Sequence, residues 1–264
     1  MKSGARKKVT LKRIVKWTVI IALWLVIWQV IYLVVGKEML FAAPINVFSR
    51  MTELVVTKAF WSATLHSLLR VMEGYLLGVI AGTLLAVVTC SIRLLRSFFY
   101  PAISVIKATP VASFIILALV WMSKSMVPTF TAFLMVLPIV WANVSQAILG
   151  TNVKLLEMAK VFQLKRSVIL KNIYLPSVMP AFMAGCTTGL GLAWKAGIAA
   201  EVLSTPQASI GTELYNAKIY IETNDLFAWT LVIILLSITI EKLFVFLMNR
   251  GMRSMKLKMG GQNK

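Results

Sequence analysis

Long apolar runs are the feature that most constrains this chain, because roughly 20 consecutive apolar residues suffice to cross a bilayer as a helix. The first such run extends from Val15 to Val35, and comparable runs recur along the rest of the sequence. Hydrophobic residues make up 59% of the chain, and its mean hydropathy is +0.84. A soluble domain is only about half apolar, so the sequence predicts an all-α integral membrane protein.

The apolar runs predict about six transmembrane helices. The third run is short for a full crossing unless the preceding piece, from Phe98 to Ile106, contributes to it. Residues 36–60 are predicted to form an external connector, with an amphipathic piece from Val47 to Val56 lying on the bilayer surface. The predicted spans are residues 15–35, 61–90, 111–122, 129–149, 178–203 and 226–248.

The charge distribution predicts the topology. The net charge of +19 would suit a nucleic-acid partner, but the basic residues cluster beside the apolar runs, as in the segment from Lys2 to Lys16. Cytoplasmic segments of membrane proteins carry an excess of Lys and Arg, so we expect both termini in the cytoplasm and no nucleic-acid partner. The chain then divides into basic cytoplasmic tails, 1–16 and 250–264, and a transmembrane domain, 17–249.

The sequence lacks the usual signs of catalysis. It has one histidine, and no GxxxxGK[ST] phosphate-binding loop that would hold ATP. Cys90 and Cys186 lie in apolar segments without metal or disulfide spacing, so we interpret them as small buried hydrophobic residues. We therefore predict that the chain is not an enzyme and holds no cofactor or metal.

A polar, basic island from Leu155 to Pro176 separates two of the apolar runs. Its start has the spacing of a short helix with one apolar side. Proline disfavours helix in the residue before it, so the pair Leu175 and Pro176 predicts a boundary. The island is either an ordinary cytoplasmic loop or a segment whose apolar side binds something outside the membrane.

This island resembles the EAA loop of bacterial ABC-importer permeases, in which EAA is followed after three residues by Gly and later by Ile-x-Leu-Pro. The matching residues are Glu157, Ala159, Ile173, Leu175 and Pro176. Met158 stands where Ala is usual, and Gln163 stands where Gly is usual. Because Gly permits a turn with positive φ, Gln163 predicts that the helix either continues or turns later.

The resemblance covers nearly the whole chain after the basic tail, and it is closest to permeases of the nitrate/sulfonate/taurine/bicarbonate group. The resemblance to this group rests on two strings, His66 to Arg70 and Gly189 to Trp194. The chain departs from the group at Ala43-Pro44-Ile45, where a Pro-Ser-Pro-like string is usual. The resemblance implies a permease in the bacterial inner membrane, with six helices and an EAA coupling helix between helices four and five. Its solute would be a small anion such as sulfonate, taurine or nitrate, or alternatively a vitamin precursor.

The resemblance also implies partners. Two ATPase subunits would bind ATP and grip the EAA loops of two permease subunits, and a homodimer of permeases is favoured. An extracytoplasmic binding protein would deliver the solute. Glu157 would pair with a basic group of the ATPase, Ala159 would allow close approach, and Phe162 would be buried in the contact. The implied coupling residues are Leu155, Leu156, Glu157, Met158, Ala159, Phe162, Gln163, Ile173, Leu175 and Pro176.

Glycines and ionisable residues inside the spans are further candidates. Gly74, Gly78 and Gly82 share a helix face, which suits either packing within one subunit or a subunit interface. Charged residues in spans usually face protein or water. The candidate pathway residues are His66, Arg70, Glu73, Lys195 and Glu201.

The roles of these ionisable residues stay open at the level of sequence. His66, Arg70 and Glu73 share one side of a helix, where Arg70 and Glu73 form either a local ion pair or part of a pathway wall. Lys195 and Glu201 point to different sides; Lys195 is a candidate to attract an anion, and Glu201 is a candidate structural residue.

Two rival functions remain. One is a self-contained channel or secondary carrier, which would tend to show internal symmetry, and we find no convincing inverted copy of one half in the other. The other is a structural membrane subunit without a pathway. That interpretation leaves the charges of Arg70 and Lys195 inside spans unexplained.

Overall fold

The computed structural model describes the backbone of residues 2–260 and the side chains of residues 15–250. Most of each predicted basic tail, 1–16 and 250–264, therefore lies outside the residues whose side chains are described. Within the described backbone every regular element is helical. This confirms the predicted all-α fold, and the side of the membrane on which the termini lie stays a prediction.

The helices follow one another with short connections. Five of them are long and apolar enough to cross a membrane, over residues 15–35, 58–91, 127–149, 166–204 and 223–250. The elements are α1 (Lys2–Val35), α2 (Pro44–Val55), α3 (Lys58–Ser91), α4 (Arg93–Ala108), α5 (Val111–Trp121), α6 (Val127–Leu149), α7 (Val153–Val161), α8 (Arg166–Ile169), a π-helical turn (Leu170–Tyr174), α9 (Leu175–Ser204), α10 (Ile210–Ile219) and α11 (Thr223–Gly260).

The third predicted span is a bent pair of helices. α5 has only 11 residues, too few to cross a bilayer alone. It joins α4 at an angle of 105°, so the two together form either a broken span or a re-entrant loop. The bend falls at Thr109 and Pro110, where the backbone is extended. Counted as one span, the pair brings the candidate spans among the described residues to six, the predicted number.

The chain divides into two compact units, and the first comprises residues 1–60 and 213–232. Its aromatic side chains pack together, with the ring of Trp28 stacked on Phe227 at 6.0 Å. The amphipathic piece of the predicted connector is α2, which begins with Pro44 in its first turn, a position that tolerates proline. Arg50 of α2 forms ion pairs with Asp225 and Glu53, which raise the pKa of its guanidinium.

The second unit, residues 61–212 and 233–264, contains the pair α3 and α6 in close contact. A Cβ atom added at Gly74 would lie 2.1 Å from the carbonyl oxygen of Thr129, and one at Gly78 would lie 2.7 Å from Val136 Cβ. At Gly82 it would lie 2.7 Å from the carbonyl oxygen of Leu137. All three glycines thus face α6 of the same chain, which favours packing within one subunit.

α9 packs against the same pair of helices. A Cβ atom at Gly197 would lie 2.5 Å from the Val71 side chain, so α3 and α9 approach closely as well. The hydroxyl of Tyr75 donates a hydrogen bond of 3.2 Å to the carbonyl oxygen of Cys186. Both cysteines are free; Cys186 is buried and Cys90 is half-buried. α3, α6 and α9 therefore form the packed centre of this unit.

The turn after α7 corrects the expectation for Gln163. We expected the helix to continue or to turn later, but α7 ends at Val161 and Gln163 adopts a positive φ of 50°. Leu164 N–H donates to the carbonyl oxygen of Ala159, and Gln163 N–H donates to that of Lys160. These two bonds define a Schellman ending. Gln163 therefore adopts the left-handed conformation that glycine adopts at lower cost.

The predicted boundary at Pro176 is also wrong. The chain is helical without a break from Arg166 to Ser204, and Leu175 has helical angles of −59° and −46°. A proline in an α-helix clashes with the carbonyl four residues earlier. Here the turn from Leu170 to Tyr174 is π-helical, and its wider spacing of backbone groups accommodates the proline ring.

The glycine contacts lead to a stability prediction. We expect Gly74→Ala to lower the free energy of unfolding by about 1–3 kcal/mol, because the new methyl group would overlap the backbone of Thr129. The matched control is Gly191→Ala, since a Cβ there meets nothing within 4 Å. The control should keep or slightly raise stability through helix propensity. Thermal unfolding of the purified full chain in detergent measures both, and equal melting temperatures would contradict the prediction.

Candidate functional site

The EAA-like loop, residues 151–176, begins with α7. The side chain of Asn152 caps this helix by accepting a 3.0 Å hydrogen bond from the backbone N–H of Lys154. Glu157 is exposed on α7, and its carboxylate has no hydrogen-bond or ion-pair partner among the residues whose side chains are described. A charged group is thus free on this loop to meet a partner.

Apolar side chains remain exposed on one side of α7. Leu155 is 40% exposed, Met158 44% and Phe162 70%. At 100° per residue these three positions share one side of the helix, whereas Glu157 lies on the opposite side. Exposed basic residues surround them: Lys154, Lys160, Lys165 and Arg166. The loop therefore presents a small apolar surface within a basic segment.

Other members of the predicted coupling set face the chain's own interior. Ala159 is 1% exposed and Ile173 is 7% exposed, and Leu156 is half-buried. The small side chain of Ala159 permits close packing within the chain, and its role toward a partner stays a prediction. Leu175 and Pro176 are exposed.

A second cluster is built around Glu201, which is fully buried near the end of α9. Its carboxylate accepts a 2.7 Å hydrogen bond from Ser67 Oγ and a 3.1 Å bond from the backbone N–H of Gly211. Arg70 Nη1 lies 3.4 Å from the other carboxylate oxygen. We call the side chains of Ser67, Arg70 and Glu201 the Glu201 cluster.

The Glu201 cluster holds the loop of residues 205–209, which connects α9 to α10, and the first residues of α10. Arg70 donates to the carbonyl oxygen of Gln207 at 2.8 Å and to that of Ala208 at 3.3 Å. The N–H of Ile210 donates to Ser67 Oγ at 2.9 Å. The first N–H groups of a helix have no partner within it, so Ser67 and Glu201 supply acceptors to the start of α10.

These contacts correct the sequence interpretation of Arg70. The local ion pair with Glu73, one of the two alternatives left open, is not formed: Arg70 pairs with Glu201 on another helix, and Glu73 is exposed without a described partner. The side chains of Arg70 and Glu73 are three residues apart, but Arg70 turns toward α9. Of the five candidate pathway residues, the structure brings together only Arg70 and Glu201.

The remaining candidates lie apart from this cluster. His66 is exposed, and its ring Nδ1 donates a 2.7 Å hydrogen bond to the carbonyl oxygen of Ser62 one turn earlier. Lys195 is exposed on α9 and has no described hydrogen-bond or ion-pair partner. As predicted, Lys195 and Glu201 point to different sides of their helix.

Sequence reasoning missed the role of Ser67. Its hydroxyl joins three elements, because it donates to Glu201 on α9 and accepts from Ile210 at the start of α10. The available signal was its position three residues before Arg70 in an apolar helix, which places the two polar side chains on one side. Gly211, whose N–H completes the cluster, carried no such signal.

Among the described residues no group of three or more His, Cys, Asp or Glu could hold a metal ion.

Comparisons with known proteins place the chain. The family model described as "Binding-protein-dependent transport system inner membrane component" matches residues 74–255. The nitrate import permease protein NrtB of Synechococcus elongatus is 29% identical over 225 residues, covering 80% of this chain and 79% of that protein. A protein of Bacillus subtilis named for aliphatic sulfonates transport, SsuC, is 24% identical over 232 residues, covering 86% of this chain and 81% of that protein.

A solved structure supports the fold. The chain titled "Crystal structure of an amino acid ABC transporter with histidines" aligns with a TM-score of 0.58 and 15% identity, covering 77% of this chain and 97% of that one. The family match extends over more than half of the present sequence and includes the EAA-like loop and Glu201. This chain therefore belongs to the family of binding-protein-dependent transport system inner membrane components and is a multi-pass ABC transporter permease.

Proposed function

We propose that the chain is the transmembrane subunit of an ATP-driven importer for a small anion, and that a separate ATPase drives it through the EAA-like loop. The observation that carries this proposal is the exposed apolar side of α7 and Phe162 in an otherwise basic loop. Exposed aromatic and aliphatic side chains outside a bilayer favour association, because burying them removes apolar surface from water.

The spacing of this surface suits a groove on the partner. Leu155, Met158 and Phe162 follow the i, i+3, i+7 pattern with which amphipathic helices dock into apolar grooves. Glu157, on the other side of α7, would meet a basic group at the rim of the groove and orient the helix. ATP would bind in the partner, since this chain has no phosphate-binding loop of its own.

Lys195 supports an anionic solute. The exposed side of α9 combines Leu192 with the polar residues Thr188 and Lys195. An unpaired ammonium group is costly in hydrocarbon, and intramembrane charges face protein or water, so we place this side of α9 on the transport pathway.

The names of two relatives are consistent with this assignment. Nitrate and aliphatic sulfonates, which appear in those names, are both small anions. The remaining partners follow from the proposed role: a second permease subunit, by preference another copy of this chain, would complete the pathway, and an extracytoplasmic binding protein would deliver the solute. In this arrangement both termini and the EAA-like loop lie in the cytoplasm.

The coupling role of Glu157 is tested by substitution. We expect Glu157→Ala to reduce solute uptake about tenfold or more while the ATPase still co-purifies, because the apolar contact survives and the orienting charge pair is lost. The measurements are co-purification from mild detergent, ATP hydrolysis and uptake of labelled nitrate or ethanesulfonate. Uptake at the wild-type rate would show that Glu157 has no coupling role.

Matched variants separate orientation from binding. Lys160→Ala removes an exposed charge from the same helix and should leave uptake near the wild-type rate. Phe162→Ala should instead release the ATPase, because it removes the most exposed aromatic side chain of the apolar surface. If the ATPase is retained by Phe162→Ala and also by Leu155→Ala, the partner does not grip this side of α7.

The pathway role of Lys195 gives a separate prediction. We expect Lys195→Gln to lower anion uptake about tenfold and Lys195→Arg to preserve most of it, since the arginine keeps the positive charge. The melting temperature should not change, because Lys195 is exposed and has no described partner. Uptake of nitrate and ethanesulfonate by both variants measures this effect, and equal uptake by wild type and Lys195→Gln would contradict an anion-attracting role.

A further inference from the structure

We propose that the Glu201 cluster is a latch that is released and re-formed during transport, and that it closes the loop of residues 205–209 onto α3 and the end of α9. Ser67, Arg70 and Glu201 are positioning residues in this proposal, since they act through the loop that they hold. The proposal rests on the proposed function only for the source of the movement, which is the ATPase.

The latch has the bonding pattern of an all-or-none contact. The side chains of the cluster reach four backbone groups of the loop and of the start of α10: two carbonyls through Arg70, one N–H through Ser67 and one through Glu201. Removing one partner of a buried ion pair leaves the other charge uncompensated, which is strongly unfavourable. Intermediate states with half of these bonds broken are therefore disfavoured, and the contact tends to be either fully made or fully open.

The loop itself is strained in the closed state. Thr205 and Ala208 have positive φ angles of 46° and 45°, although neither is glycine. Such conformations are unfavourable for residues other than glycine and persist only where surrounding contacts impose them. The strain opposes the bonds of the cluster, so the closed and open states differ by less free energy than the number of bonds suggests. A small displacement of one partner is then enough to shift the balance.

The helix that carries Glu201 supplies a route for such a displacement. The chain is helical without interruption from Arg166, within the EAA-like loop, to Ser204, just beyond Glu201. Ser67 and Arg70 lie on α3, which is held against α6 by its glycines. A movement of the EAA-like loop along or across this helix therefore shifts Glu201 relative to Ser67 and Arg70. The π-helical turn at Leu170–Tyr174 is the place where this helix can adjust.

The position for a probe is Ser209, which is fully buried in the closed loop. A Ser209→Cys variant, made in a chain with Cys90→Ala and Cys186→Ala, is treated in membranes with a membrane-impermeant maleimide. The permease is co-expressed with the nucleotide-binding subunit that co-purifies with it. We expect trapping with ATP and vanadate to raise the labelling rate about tenfold. The control Gln207→Cys, exposed in the closed loop, should label equally with and without trapping.

If the Ser209→Cys variant labels at the same rate in both conditions, with nucleotide demonstrably trapped, the latch proposal is overturned. The cluster is then a permanent structural contact. Thr205→Gly provides the second variant, because it removes the backbone strain without touching the cluster. We expect it to raise the melting temperature and to lower the trapped labelling rate several-fold. A higher melting temperature with an unchanged labelling rate in the trapped state also overturns the proposal, since a permanent structural contact would behave in that way.

The failure of the proposed function has a different signature. If no nucleotide-binding subunit co-purifies, the importer assignment fails, and the latch is then tested by adding Glu201→Gln to the Ser209→Cys variant. Faster labelling of the thiol at position 209, at least fivefold and at temperatures well below unfolding, supports a releasable contact. Unchanged labelling in a folded protein that carries Glu201→Gln overturns it.

Discussion

The close approach of α3 to α6 is the contact on which the arrangement of this permease depends. Gly74, Gly78 and Gly82 bring the two backbones together, and no larger residue fits at any of the three positions without displacing α6. In lipid, where helices gain little from the hydrophobic effect, such packing supplies much of the association energy. In this state α3 also approaches α9 closely at Gly197, and Ser67 and Arg70 lie opposite Glu201.

The Glu201 cluster shows how a carboxylate can be buried at the end of a membrane helix. An unpaired charge there would be prohibitive, so each carboxylate oxygen needs a donor. The protein supplies them from two other helices: a hydroxyl and a guanidinium from α3 and a backbone N–H from α10. The buried carboxylate of Glu201 is therefore stable only when these elements are assembled so that all three donors are in place.

Much of the fold was predictable from the sequence because it rests on one-dimensional signals. Apolar runs identify spans, and α5 was recognised as too short to cross alone. Contacts between helices were less accessible: Arg70 has Glu73 one turn away, yet it pairs with a residue 131 positions later. Two local rules also failed, at Gln163 and at Pro176. At Gln163 a Schellman ending of α7 accommodates a residue other than glycine, and before Pro176 a π-helical turn accommodates the proline ring.

The two candidate sites have opposite chemistry, which fits the different tasks that we propose for them. The EAA-like loop keeps apolar side chains exposed, which is costly for the isolated chain and is offset only when a partner covers them. The Glu201 cluster has all its charges paired inside the chain, so it needs no partner and can store a conformational preference. One unbroken helix, from Arg166 to Ser204, joins the two. In the proposed mechanism, binding energy gained at one end acts on a balanced internal contact at the other, which is the requirement for coupling without any covalent step.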